Sequence, residues 1–233
     1  MATADRIERE RLAKRTRILD AARELFVERG FEAVTLREIA QRIEYSTTAI
    51  YVQFKDKQDL VDHMVREDFR AFVEALAVAA TVPEPFARLT RLGDAYVEFA
   101  LTLPRHYQLL FMTPAKHAVD KHKRHEAPPG IEGYQLLLQT VMECIATKQL
   151  RADFDDPHIV AQAIWSCVHG LVSLLIVMGD HEQFHWRASA ELVQVALGSL
   201  VRGMLADPLA ADAHRPAPKT KKPPKAKRRR PTG

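Results

Sequence analysis

The chain has 233 residues, of which 47% are apolar and 27% charged, enough to build a soluble core as one large domain or a small one plus a larger one. Its formal charge of +4 conceals an asymmetry: residues 208–233 hold nine Lys/Arg against Asp212, a net +8, so the remaining body is near −4. The only cysteines, Cys144 and Cys167, share no CxxC spacing, which argues against a zinc or disulfide framework, and both sit in apolar helical patterns that suit burial.

Nearly every segment carries helical periodicity and none alternates as a strand would, so the expected fold class is all-α with about nine helices. Residues 1–17 hold six Lys/Arg and three acids without an apolar core, unlike a signal peptide, and point to a cytoplasmic protein. A first helix is expected over about Arg6–Glu28. Its inner face is Ile18, Leu19, Ala22, Leu25 and Phe26, and Gly30 ends it as a left-handed cap. A second starts at Thr35, where Thr35-Leu-Arg-Glu38 forms a capping box. After a four-residue break, Ser46 caps a short helix from Thr47 to about Gln53, and Asp56 caps a long one to about Ala80 with the stripe Val61, Val65, Phe69, Phe72, Leu76. Helices near 85–103, 104–112, 131–147, 157–179 and 187–206 come next, broken by prolines. The longest apolar stretch, Val168–Met178, is shorter than the ~20 residues a bilayer span needs and is read as a buried helix with no membrane role. Residues 208–233, rich in Lys, Arg and Pro, are expected to be disordered.

Two helices at 36–43 and 47–53 joined by a short turn form a candidate helix-turn-helix, whose second helix enters the DNA major groove. Ile39, Ala40, Ile43, Ile50 and Phe54 supply an apolar underside. Ser46, Thr47 and Thr48 place small polar groups at the start of the recognition helix. Thr35, Tyr51, Lys55 and Lys57 are suited to phosphates, as are the free N–H groups at the helix start near Lys57.

The run Arg17-Ile-Leu-Asp-Ala-Ala-Arg-Glu-Leu-Phe-Val-Glu-Arg-Gly-Phe31, then Thr35-Leu-Arg-Glu-Ile-Ala40, Ser46, and Ile50-Tyr51-x-x-Phe54-Lys55-x-Lys57-x-x-Leu60 resembles the N-terminal domain of the TetR family of transcription regulators over about residues 15–61. The resemblance implies phosphate contacts from Thr35, Tyr51 and Lys57 and positions near base edges for Arg37, Thr47 and Thr48. It departs at two places. Glu44 stands where the family usually has a turn glycine, at a cost of ~1 kcal/mol if φ is positive. Gln53 stands where His or Tyr is common, and can still donate to phosphate or adenine. Pro104-Arg-His-Tyr107-Gln-Leu-Leu-Phe111 and Trp165-x-x-x-His169-Gly170-Leu171 more loosely resemble the WHG type of C-terminal domain in that family.

The implied organisation is a DNA-binding domain over 1–60, a ligand-binding and dimerisation domain over 61–207, and a basic tail over 208–233. The resemblance implies a homodimeric, ligand-responsive repressor on a palindromic operator, with the helix at 57–80 acting as a lever. Candidate dimer stripes are Ile164, Val168, Leu171 and Leu175, and Val193, Leu197, Leu200 and Met204. Candidate effector contacts are Phe69, Phe72, Tyr96, Phe99 and Tyr107, together with Phe111, Met112, Met142, Trp165 and His169; the same set would equally suit a plain helical core. The alternative within the family is a regulator acting as an activator.

No Gly-rich phosphate loop, GxSxG or HExxH is present, so an enzyme is not expected, nor a cofactor. His117, His122 and His125 with Asp120 and Glu126 are read as ordinary loop residues and not as a metal site. A competing reading makes the tail a sequence-tolerant DNA binder, its charge neutralising phosphates near the nucleoid.

Overall fold

The computed structural model describes residues 2–113, 130–179 and 181–207. The loop histidines 117, 122 and 125 and the basic tail lie outside them. Among the described residues there are nine α-helices and no sheet: α1 (Ala2–Arg29), α2 (Leu36–Arg42), α3 (Thr47–Tyr51), α4 (Lys57–Ala80), α5 (Pro85–Thr102), α6 (Pro104–Tyr107), α7 (Ile131–Ala146), α8 (Pro157–Met178) and α9 (Ser189–Met204).

The starts and stops obey the local chemistry. Gly30 sits at φ +79 and closes α1 through a bond from its N–H to the Phe26 carbonyl. Thr35 and Glu38 complete the capping box of α2. Ser46 accepts from the Ala49 N–H at the start of α3, and Asp56 from the Asp59 N–H at the start of α4. Glu84 and Asp156 cap α5 and α8, each ahead of a proline in the first turn. Three boundaries differ from expectation. The first helix begins near Ala2, the recognition helix ends at Tyr51, and residues 108–112 form a π-helical turn after α6.

Two cores stack along α4. The first joins Ile18, Leu25 and Phe26 of α1 to Ile39, Ile50, Leu60 and Met64, and takes Leu109 from the π turn. The second gathers Phe72 and Leu76 of α4 with Tyr96, Phe99, Tyr107 and Val172. A boundary at 60/61 therefore falls inside one continuous helix that serves both cores. A third cluster, around Val141, Cys144 and Val160, closes the far end.

At the seam between the first two cores sits an ion pair that sequence periodicity did not reveal. Asp68, on the inner face of α4, receives the Arg23 guanidinium of α1 at 2.7 Å, with further bonds at 3.0 and 3.1 Å. Both residues are buried. Burial pushes the Asp68 carboxyl above the ordinary carboxylate range, against the pull of Arg23. His106 of α6 stands 3.8 Å from the same carboxylate, and Arg105 pairs with Glu24 of α1.

The stretch Val168–Met178 is not a uniformly buried helix. It is half of a 22-residue helix whose length and mean hydropathy of 1.9 would suffice to cross a bilayer. Val160, Ile164, Val168 and Val172 pack inward, while Leu174 and Val177 are exposed. Cys144 is buried as expected, its thiol pushed up to about 12 by burial, whereas Cys167 is only half-buried.

Candidate DNA-binding face and effector cavity

The turn between α2 and α3 is closed by bonds from Ile43 N–H and Tyr45 N–H to the Ala40 carbonyl. Glu44 adopts φ +59, the left-handed conformation for which glycine is usual. Ile39 and Ile50 are fully buried and Phe54 nearly so, which fixes α3 against α2 and α4. The opposite side of α3 is open: Thr48 is exposed, Thr47 half-buried, and Tyr51 56% exposed. Arg37 and Lys55 are also exposed and Gln53 is half-buried. An exposed tyrosine beside small hydroxyl side chains, on a helix locked from beneath, can present hydrogen-bond groups to a groove and its phosphates.

Several of the sequence-derived side chains carry structural duties. The Thr35 hydroxyl donates to Glu38 at 2.8 Å and accepts from the Glu38 N–H at 3.2 Å. Those bonds, with one from Arg29, hold the Glu38 carboxyl down at about 2. The Ser46 hydroxyl caps α3. The Lys57 ammonium, expected to face phosphate, donates to the Phe31 carbonyl and lies 5.9 Å from the Phe26 ring centre. Arg17 and Tyr45 were missed. The Arg17 guanidinium lies 5.3 Å from the centre of the Tyr45 ring and donates to its hydroxyl at 3.3 Å, one residue before the recognition-helix cap.

In the larger half, α4, α5, α7 and α8 surround a cavity of about 470 Å³. Five of the ten expected contacts line it: Phe69, Phe72, Tyr96, Phe111 and Trp165. The others do not. Phe99 packs on Phe72 at 5.2 Å between ring centres, and Tyr107 is wholly buried behind the wall. Met112 joins the second core, and Met142 turns outward from α7. His169 lies one layer back, against Tyr107 and Phe111. Sequence reasoning missed Leu92, Tyr134, Leu137 and Gln162 as lining residues. It also missed Gly133, where an added Cβ would meet Phe72 at 2.9 Å, so the close passage of α7 over α4 needs a residue without a side chain.

A hydrogen-bonded cluster borders this apolar cavity. Trp165 Nε1 donates to the Tyr96 hydroxyl at 3.2 Å, which lies 3.0 Å from the Tyr107 hydroxyl. His169 Nδ1 is 2.6 Å from Tyr107 and 3.2 Å from Tyr96, and its Nε2 is 3.5 Å from the Ser173 hydroxyl. Burial raises both tyrosines and lowers His169, so all three are neutral at pH 7.

The expected dimer stripes divide. Ile164 and Val168 line the cavity, and Val193 and Met204 are buried in the second and third cores. Leu171, Leu175, Leu197 and Leu200 are half-buried. The large apolar side chains left outward on these helices are Ile159, Leu174 and Val177 of α8 and Val195 of α9, with Trp165 of α8 partly outward at the edge of the cavity. Each helix turns one stripe to the chain's own core, and a second face remains.

Residues 18–64 match bacterial regulatory proteins of the tetR family, and residues 89–200 match the tetracyclin repressor-like C-terminal domain. Over 126 residues the chain is 29% identical to the HTH-type transcriptional regulator UidR of Escherichia coli (strain K12), a match covering 48% of this chain and 63% of UidR. Over 51 residues, 22% of this chain, it is 43% identical to the HTH-type transcriptional regulator YvkB of Bacillus subtilis (strain 168), of which it spans 27%. The chain thus spans less than two-thirds of the length of these curated relatives. The solved SmeT–triclosan complex superimposes with a TM-score of 0.66 over 91% of this chain and 100% of SmeT, at 20% identity, and so shares the fold.

Proposed function

The chain belongs to the TetR family of bacterial regulatory proteins, and from that premise we propose that it is a dimeric, effector-responsive transcriptional repressor that reads a palindromic operator. The observation that carries the proposal is the open face of α3, where Thr48 and Tyr51 are exposed on a helix pinned by Ile50 and Phe54. Such a helix is rigid enough to dock in a major groove and carries groups that bond to bases and phosphates. Tyr51 and Thr48 act as direct contacts. Arg37, Thr47, Gln53 and Lys55 flank them, Arg17 and Tyr45 extend the face, and Thr35, Ser46 and Lys57 position it.

Reading a palindrome takes two copies with matched spacing. We assign the dimer contact to the outward face of α8 and α9, through Leu174, Val177 and Val195, bordered by the half-buried Leu171 and Leu175. The effector occupies the cavity, where Phe69, Phe72 and Leu76 come from α4. An effector that prefers a shifted α4 would alter the separation of the two α3 helices and lower operator affinity by population shift. The work is placed in the cytoplasm, on the nucleoid.

Selection of bound sequences from random duplex DNA tests the proposal. A palindromic site should emerge with the intact protein and be lost with Tyr51→Ala, whose helical content should be unchanged. Recovery of sequences without symmetry, or an unaffected site in the variant, would sink it.

A further inference from the structure

The bonding capacity of the cluster beside the cavity restricts the chemistry of the effector. The restriction comes from counting protons and lone pairs, and it rests on the proposal that the cavity is the effector site.

Tyr107 Oη and His169 Nδ1 lie 2.6 Å apart, and of this pair the phenol O–H is the stronger donor and the neutral imidazole nitrogen the stronger acceptor. Tyr107 therefore donates to Nδ1, and the neutral imidazole carries its hydrogen on Nε2, turned to Ser173. Tyr107 has then spent its only hydrogen. The Tyr96 hydroxyl faces Tyr107 Oη at 3.0 Å, whose lone pairs are open, so its hydrogen also points into the cluster; the one lone pair of Nδ1, 3.2 Å away, is already taken. The indole N–H of Trp165 is given to Tyr96. Every donor of Tyr96 and Trp165, the two cluster members that line the cavity, is thus committed. A lone pair on Tyr96 Oη remains. Among the described residues, no Asp, Glu, Lys or Arg lines the cavity. Of its other polar side chains, Gln162 is exposed and the Tyr134 hydroxyl is turned to His158 Nδ1 at 3.0 Å.

We infer that the cavity selects an uncharged, largely aromatic or polycyclic effector bearing a hydroxyl or N–H group that donates a hydrogen bond to Tyr96. An effector whose only polar atom is an acceptor would set two lone pairs against each other at this position, with no hydrogen between them. A carboxylate or phosphate would meet no cation among the described lining residues of this apolar site.

The probes are 4-hydroxybiphenyl, 4-methoxybiphenyl and biphenyl, titrated calorimetrically into the full chain. The methyl ether is the more hydrophobic of the substituted pair, so tighter binding of the phenol cannot arise from transfer out of water. The phenol should bind about five- to tenfold more tightly than the ether, the scale of one neutral hydrogen bond. With Tyr96→Phe the gap should close, because the acceptor is gone and the Trp165 N–H is released to serve the ether. Equal binding of phenol and ether by the wild-type chain would overturn the donor requirement while leaving the cavity as effector site. Failure of all three probes to bind would overturn both. The wild-type comparison decides the matter even where the variant does not fold.

Discussion

The two halves of this chain are packed to different standards. Around α1–α4, Ile18, Ile39, Ile50 and Leu60 are closed completely from solvent, and aliphatic side chains interlock around the buried rings of Phe26 and Phe54. In the larger half, Phe72 of α4 meets Tyr96 of α5 and Phe111 of the π turn edge to face, and about 470 Å³ is left beside them. Under the proposed function the difference has a reason: a duplex has a fixed shape and is read by a rigid surface, whereas an effector would have to be admitted, so the second half keeps space that denser packing would have filled.

The largest effect should come from the seam where the two standards join. Asp68→Ala leaves the buried Arg23 guanidinium with only the partly exposed Asp20, at 2.6 Å, to meet it, and should cost about 3 kcal/mol in urea denaturation, the lower end of what breaking a buried pair costs. A loss below about 1 kcal/mol would mean that the seam contributes little and the halves are stabilised independently.

Next comes a matched pair of enlargements. Val34→Phe, in the closed core, should cost about 1–3 kcal/mol through overpacking. Leu137→Phe, on the cavity wall, should leave thermal stability nearly unchanged but abolish biphenyl binding. Equal costs at the two sites would break the comparison outright.

A smaller gain is expected at the turn. Glu44→Gly removes a side chain from a left-handed residue and should stabilise the chain by about 0.5–1 kcal/mol, after the greater freedom of glycine in the unfolded state is allowed for. The smallest effect is a pH dependence. Glu38 is held at about 2, below its ordinary 4.5, so its contribution is fully present above 4.5 and fades as pH falls toward 2. The difference in melting temperature between wild type and Glu38→Gln should shrink over that window. A constant difference would show that the bonds to Thr35 and Arg29 are not what depresses it.

Legibility in the sequence divides along the same line. Gly30, the Thr35–Glu38 box, Ser46, Asp56 and the unusual Glu44 were readable because each is a local signal, set by one residue and its neighbours within a turn. The Arg23–Asp68 pair joins positions 45 residues apart, and its one local trace was an acid on the inner face of α4, between Val65 and Phe72. The aromatic composition announced a pocket. It could not tell Phe72, which lines it, from Phe99, which packs behind, since both lie on inward helix faces. Half of the dimer-stripe residues are drawn into the core for a related reason. Periodicity locates the most apolar face of a helix, and α8 and α9 spend that face on the chain's own core. Lys57 shows the limit of a motif: its position was readable, but the carbonyl of Phe31 that takes its ammonium was not.

The π turn at 108–112 has a mechanical meaning. A π turn holds more residues than an α turn and so resets the angular phase of the chain beyond it. Tyr107 and Phe111 face the ring-lined half, Leu109 is seated in the closed core, and Leu110 touches both. Within five residues the backbone alternates between the two housings like teeth cut on a shared shaft. Phe111 on the cavity wall and Leu109 in the closed core stand two residues apart on one turn, so under the proposed function a displacement of the wall by an effector would be passed directly to the half that binds a duplex.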